Sequence, residues 1–472
     1  MAPNYDLLAV RRGTVTAPAG CGKTQLIADT LGRYIERKPI LILTHTNAGV
    51  NALRIRLHRA NVRQSAYRVM TIDGFAMRLV GSFPLRSGLP NHVLALSNPR
   101  NDYPAIREAA GRLLQAGHIS DVLASSYSRI IVDEYQDCAT SQHIIVTWAA
   151  EVLPTCVLGD PMQAIFGFGG TQLVDWTTDV LRYFPPVCEL QTPWRWQRAG
   201  TEALGHWLLT SRQTLQMGGA LDLRSAPTEL SWMELNPATS DQQRMAAARI
   251  NAPHRDGTVL VIGDSVNAQG RRQVASQTPG ATNVEPVDLR DLTEFSRTFD
   301  ARAPNALERL VTFAGSLMTN VGAADLLRRV NSLRQGTARI APTPCEAAAV
   351  EFTTMPSLAN AMAVLRRIVE QANVRVYRPD MLRSCLSALQ AASDGNCTFL
   401  EAAIREREKN RYVGRPLSRR AVGSTLLLKG LEADVAVVLH PESMDARHLY
   451  VALTRGAQRV VVCSQSPVLT PL

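Results

Sequence analysis

The sequence predicts an α/β protein built on parallel sheets covered by helices on both faces. Two observations lead there. Short apolar, β-rich runs alternate with amphipathic helical stretches through the first third of the chain, and such alternation is how strand–helix–strand units write themselves. A second set of similar runs appears later, at TVLVIGD (258–264), ADVAVVLH (433–440) and RVVVCS (459–464).

Taken in order, GTVTA (13–17) is a strand entering a Gly-rich loop. Leu26, Ile27, Thr30, Leu31, Tyr34 and Ile35 then share one helical face. PILILT (39–44) is the next strand, followed by helical spacing at Ala52, Leu53, Ile55, Arg56 and Leu57. RIIVDE (129–134) and TCVLGD (155–160) are further buried strands. From about 266 to 415 the pattern turns helical and arginine-bearing, as in DLLRRVNSLRQG and NAMAVLRRIVEQA. The expected organisation is a first lobe over 1–190 with a small insertion at about 84–126. A second lobe is expected over 191–265 and 416–472, split by a mainly helical insertion at 266–415.

Composition narrows the function. With 472 residues and 46% hydrophobic content, the chain can build several cores. No apolar run approaches the ~20 residues that span a bilayer, and the start MAPNYDLLAVRRG lacks the pattern of a signal peptide. A cytoplasmic protein with no membrane partner is expected. The eight cysteines form no CxxC, which argues against a zinc ribbon, an iron–sulfur cluster and a disulfide framework. A net charge of +10 suggests a polyanionic partner. Only four lysines occur, at 23, 38, 409 and 429, so each placement is informative.

APAGCGKT (17–24) fits the phosphate loop [AG]-x4-G-K-[ST]. Gly20 and Gly22 would let backbone amides approach phosphates, Lys23 would reach the β and γ phosphates, and Thr24 would hold Mg²⁺. Ala19, Gly20, Cys21, Gly22, Lys23, Thr24 and Gln25 are therefore the expected nucleotide residues. IIVDEYQDC (130–138) drives an apolar strand into a knot of acids. Alone it would be a solvated strand end. Downstream of a phosphate loop, Asp133 suits Mg²⁺ and Glu134 suits a general base for water. VLGDPMQAIFGF (157–168) repeats the layout: Gln163 suits a γ-phosphate sensor. Phe166 and Phe168 suit either core packing or a platform for single-stranded bases. PWRW (193–196) sets Arg195 between tryptophans, with Trp194 a flat face for a purine. LLLKGLEAD (426–434) and LYVALTRG (449–456) carry Glu432 and Arg455. The basic stretch REREKNRYVGRPLSRR (405–420) suits a phosphate-tracking surface or a solvated helix face equally.

In order and spacing, these segments resemble superfamily 1 helicases of the UvrD/Rep type. The resemblance implies two RecA-like P-loop lobes with parallel sheets, ATP and Mg²⁺ between them, and single-stranded DNA as partner, tracked 3′→5′. It implies that Lys23, Thr24, Asp133 and Glu134 serve phosphate, magnesium and water. It implies that Arg195 and Arg455 bring positive charge to ATP, that Glu432 contacts the sugar and that Trp194 stacks on adenine. THTN, with Thr44, Thr46 and Asn47, matches one strand-contacting segment. TIDGF, with Thr71 and Phe75, matches the second.

The chain departs from the family at several positions. Asp73 stands where a histidine is usual, so an acid is expected to face a DNA phosphate and repel it. Gly169 replaces an arginine, Phe168 a tryptophan and Leu426 a histidine. Only 17 residues follow Arg455, so no appended nuclease is expected. Compactness of this kind resembles small UvrD-like proteins of bacterial anti-phage systems. The leading expectation is thus a DNA helicase. The rivals are a DNA-sensing ATPase subunit with a nuclease partner, and an RNA-directed motor. No glutamine precedes Gln25, whereas the family reads adenine with one upstream of the phosphate loop. Nucleotide selectivity should accordingly be relaxed. GTP turnover within about a hundredfold of ATP turnover is the expected outcome, and steady-state hydrolysis of the two nucleotides measures it.

Overall fold

A computed structural model describes residues 5–167, 172–395, 397–410 and 418–472. The class is α/β with parallel sheets, as the sequence predicts and as RecA-like lobes require. The chain divides into two compact units, residues 1–234 with 441–472, and residues 235–440.

In the first unit, β1 (Arg12–Thr16), β2 (Ile40–Thr44), β3 (Tyr67–Thr71), β4 (Ile130–Val132), β5 (Thr155–Gly159) and β6 (Pro186–Glu189) form one sheet. Their order is β3-β2-β4-β5-β1-β6 and every pairing is parallel. Period two divides the strand residues between two cores. Leu41, Leu43, Ile130, Val132 and Val157 face one core. Ile40, Ile42, Ile131, Cys156 and Leu158 face the other. Helices α1 (Lys23–Arg33) and α2 (Asn47–Arg59) cover the second face. Helix α3 (Ile72–Ser82), with the helices Pro99–Gln115 and Thr140–Ala150, covers the first. The segment 84–126 belongs to this layer: Ile106, Ala109, Ala110, Leu113 and Leu114 are buried in the same core as Phe75. The first unit also holds the parallel pair Leu230–Glu234 with Gly456–Ser464.

In the second unit, Ala281–Asn283, Arg420–Gly423, Val259–Ile262 and Ala433–Val438 lie side by side in that order, all parallel. Between Asn283 and Asn410 the described residues fold mainly as helices around a core of their own. Phe295 and Phe313 stack there with centroids 4.0 Å apart. Arg378 fastens this helical body to the sheet. It is wholly buried and donates to both Glu285 oxygens at 2.7 and 2.8 Å, and to Asp291 at 2.7 Å.

A buried pair of this kind is costly to break on one side, because the remaining charge stays desolvated. Arg378→Ala is expected to destabilise the second unit by about 3–5 kcal/mol. Replacing Arg378 and Glu285 together by apolar residues of similar volume should cost far less. Chemical denaturation of the three proteins checks both.

Candidate nucleotide site

The parallel order sets the C-terminal ends of β4, β5 and β1 next to one another. The phosphate loop leaves β1 with Ala17 N–H bonded to Gly159 O at 2.8 Å. It turns through Gly20 (φ 72°) and Gly22 (φ 89°), left-handed values that favour glycine. A Cβ on Gly20 would lie 2.5 Å from the Trp196 ring, and one on Gly22 would lie 2.9 Å from Trp194. Gly22 is the N-cap of α1 and no side chain caps that end. Its first-turn amides and the helix dipole therefore form a cradle suited to an anion.

Lys23 opens α1. Its Nζ lies 3.1 Å from Asp133 Oδ1 and 2.5 Å from Glu134 Oε1. Burial works against the ammonium, but the two carboxylates outweigh it and raise its pKa above the ordinary lysine value. Asp133, 5% exposed, follows β4 directly, and its Oδ1 accepts the Glu134 N–H at 3.0 Å. Glu134 adopts φ 56°, an uncommon conformation for a side-chain-bearing residue that costs ~1–3 kcal/mol and clusters at functional sites. Gln136 steadies it, donating to Glu134 Oε2 at 2.6 Å while accepting from Asp160 N–H at 3.1 Å.

Thr24 lies in the first turn of α1, one residue beyond Lys23. The donor set of one hydroxyl, one carboxylate and substrate phosphates fits magnesium, which binds few protein ligands. Among the described residues no group of three or more His, Cys, Asp or Glu could hold a metal, and a site of this type needs none. Gln25 is engaged within the helix, donating to Asp29 at 2.7 Å. The Cys21 thiol is buried and pushed up to about 12 by burial, then by Asp160.

Gln163 donates to Asp160 Oδ2 at 3.1 Å. Asp160 is itself fully buried and paired with Arg212, whose Nε and Nη2 reach its Oδ1 at 3.0 and 2.8 Å. Trp194 packs against Gly22, beside the loop, and its Nε1 is buried without a hydrogen-bond partner among the described residues. Arg195 N–H donates to Gly20 O at 3.1 Å, and its Nη1 donates to Thr454 O at 2.7 Å. Arg455, 2% exposed, bonds Val451 O at 2.8 Å and Thr454 Oγ1 at 3.0 Å. Lys23, Asp133, Glu134, Gln163, Trp194, Arg195 and Arg455 thus all belong to the first unit. Glu432 belongs to the second, directly before the strand Ala433–Val438.

Sequence reasoning did not single out Tyr450. Its hydroxyl accepts the Ala19 N–H at 3.1 Å, and burial raises its pKa well above the ordinary tyrosine value. The signal was its place in YVALTR, five residues before Arg455. Arg212 was missed too, and no motif pointed to it.

At the opposite side of the same sheet edge, Thr46 caps α2 through Gly49 N–H at 3.0 Å, and Thr71 caps α3 through Gly74 N–H at 2.9 Å. Asn47 is the first residue of α2. Thr44 ends β2 with its Oγ1 buried and unpartnered among the described residues. Phe75 is 1% exposed within the core. Phe166 is half-buried with its ring 5.7 Å from that of His45. Phe168 and Gly169 lie outside the described residues, as does 411–417 of the basic stretch. Asp73, expected to face a DNA phosphate, is paired within the protein. Arg107 reaches both its oxygens at 2.6 and 2.7 Å, so a cation of the protein offsets the charge at a half-buried position.

Residues 10–102 and 98–175 match the model of the UvrD/REP helicase N-terminal domain. That part of the chain is similar to the UvrD/REP helicase N-terminal domain. The matched residues include Lys23, Asp133, Glu134 and Gln163, while Trp194, Arg195, Glu432 and Arg455 lie beyond them. A UvrD/REP domain points to ATP-dependent helicase chemistry. Among curated proteins, none matches the chain in sequence. Among the described residues, no helix is long and apolar enough to cross a membrane.

Gly20→Ala tests the loop's close packing. Left-handed strain of ~1–3 kcal/mol and the Trp196 collision should lower the melting temperature and weaken nucleotide binding together. Thermal denaturation with and without ATP reads both.

Proposed function

We propose that the protein is an ATP-driven motor that moves along single-stranded DNA and unwinds duplexes, in the 3′→5′ direction implied by the family resemblance. One observation carries this reading. A largely enclosed lysine stands between two carboxylates, at the uncapped start of α1, in a segment similar to the UvrD/REP helicase N-terminal domain.

Bound ATP with magnesium would supply the phosphoryl group that hydrolysis transfers to water. Loop amides from Ala19 to Thr24 and the Lys23 ammonium would take the phosphates. Lys23 would exchange two carboxylates for phosphate, leaving Thr24 and Asp133 for magnesium and Glu134 for the water proton. Gln136 orients the Glu134 carboxylate for that task. Gln163, held by Asp160, would report on the γ-phosphate. Arg195 and Arg455 would offset charge in the transition state, and Trp194 gives the nucleotide a flat wall beside Gly22. The α2 and α3 starts, with Thr44, Thr46, Asn47 and Thr71, would take strand phosphates, and Phe166 would meet a base. Glu432 is assigned to the sugar by the resemblance.

A second reading has one specific support. Asp73 is committed to Arg107, so the TIDGF segment offers a phosphate a helix start but no cationic side chain. This suits an ATPase that senses DNA and works with a nuclease partner without robust unwinding. Strand displacement by the protein alone would exclude it. ATPase stimulation by oligo-dT over oligo-U of equal length would exclude an RNA motor.

Glu134→Gln should bind ATP as the wild type does and lose turnover by about 10²–10⁴-fold. Nucleotide-binding fluorescence and steady-state ATPase measure the two effects. Near-normal hydrolysis in this variant would remove Glu134 from the chemistry.

A further inference from the structure

Gln142 is fully buried near the start of the helix Thr140–Ala150, just after the DEYQD segment. Its amide touches three separate elements. Oε1 accepts from Ala139 N–H at 3.0 Å and lies 3.2 Å from His45 Nδ1. Nε2 donates to Asp73 Oδ1 at 3.1 Å. A backbone N–H only donates and a carboxylate only accepts, so the amide can face only one way. His45 Nδ1 must then carry its proton and donate to Oε1.

The two ends of this network differ in character. His45 stands between Thr44 and Thr46 at the end of β2, beside Phe166. Ala139 continues the backbone from Glu134 through two tight turns: Asp137 N–H bonds Glu134 O, and Cys138 N–H bonds Tyr135 O, both at 3.1 Å. One amide oxygen is therefore shared between the strand-contacting segment and the backbone that carries Glu134. When two donors share an acceptor, strengthening one bond weakens the other.

We propose that Gln142 is a positioning residue that relays strand engagement at His45 and Phe166 to Glu134, with Asp73 and Arg107 as its fixed anchor. The proposal rests on the motor reading. It also explains what Asp73 does in place of the family's histidine: it holds the relay. Because coupling is reciprocal, nucleotide binding must alter strand affinity through the same amide.

A plain helix cap is the competing role, since Gln142 reaches back to the helix N-cap as in a capping box. Gln142→Glu separates the two. It keeps the acceptor for Ala139 but sets a carboxylate against Asp73. Asp73→Asn breaks the anchor without touching the cap. The full chain and both variants would be assayed for ATPase with and without saturating oligo-dT. Oligo-dT affinity would be measured with and without a non-hydrolysable ATP analogue.

Both variants are expected to keep strand-free ATPase within about twofold, to lose strand stimulation by about 5–150-fold, and to lose the analogue's effect on oligo-dT affinity. Wild-type stimulation in both variants would overturn the relay and leave the motor reading standing. A parallel loss of basal and stimulated rates with a lowered melting temperature would reduce Gln142 to a cap and also overturn it. A wild type that no strand stimulates would overturn both readings.

Discussion

An ammonium held between two carboxylates, one of them buried, is the interaction on which this site depends. Lys23 opens α1, whereas Asp133 and Glu134 leave β4. They meet because β4, β5 and β1 are adjacent and parallel, so each strand ends at the same sheet edge. Desolvation would expel any one of these charges alone. Together they are tolerable, and they hold a cation and two anions within reach of one another.

The same economy recurs around the site. Asp160 is buried against Arg212, and its remaining oxygen holds Gln163. Asp73 is clamped by Arg107, and its Oδ1 also holds Gln142. In each case an ion pair, fully buried for Asp160 and half-buried for Asp73, fixes an amide side chain, and the amide does the reaching. An amide can donate and accept at once without a charge to desolvate. That makes it suited to sit between a rigid anchor and a partner that changes.

The loop is also shaped by aromatic packing. Trp196 lies against Gly20 and Trp194 against Gly22, while the Tyr450 hydroxyl takes the Ala19 amide. These contacts bring the PWRW and YVALTR segments to the phosphate loop from far along the chain. The positions bearing Arg195 and Arg455 are thereby tied to the loop through backbone and hydroxyl contacts.

The sequence by itself singled out Lys23, Asp133 and Glu134, which the fold brings together. Local spacing specifies a phosphate loop, and an apolar run ending in Asp133 and Glu134 specifies a strand with acids at its end. Both depend on residues close together in the chain, so both are legible there. The strand runs were legible for the same reason: the all-buried ILILT and IIV can only lie inside a covered sheet. Only the tertiary structure decided what Asp73, Gln142, Arg212 and Tyr450 do. Their partners lie 69, 52 and 431 residues away, at distances no motif encodes. Asp73 shows the difference most clearly. As a letter in TIDGF it is an acid misplaced beside a phosphate, and only the fold supplies the Arg107 that makes it an anchor.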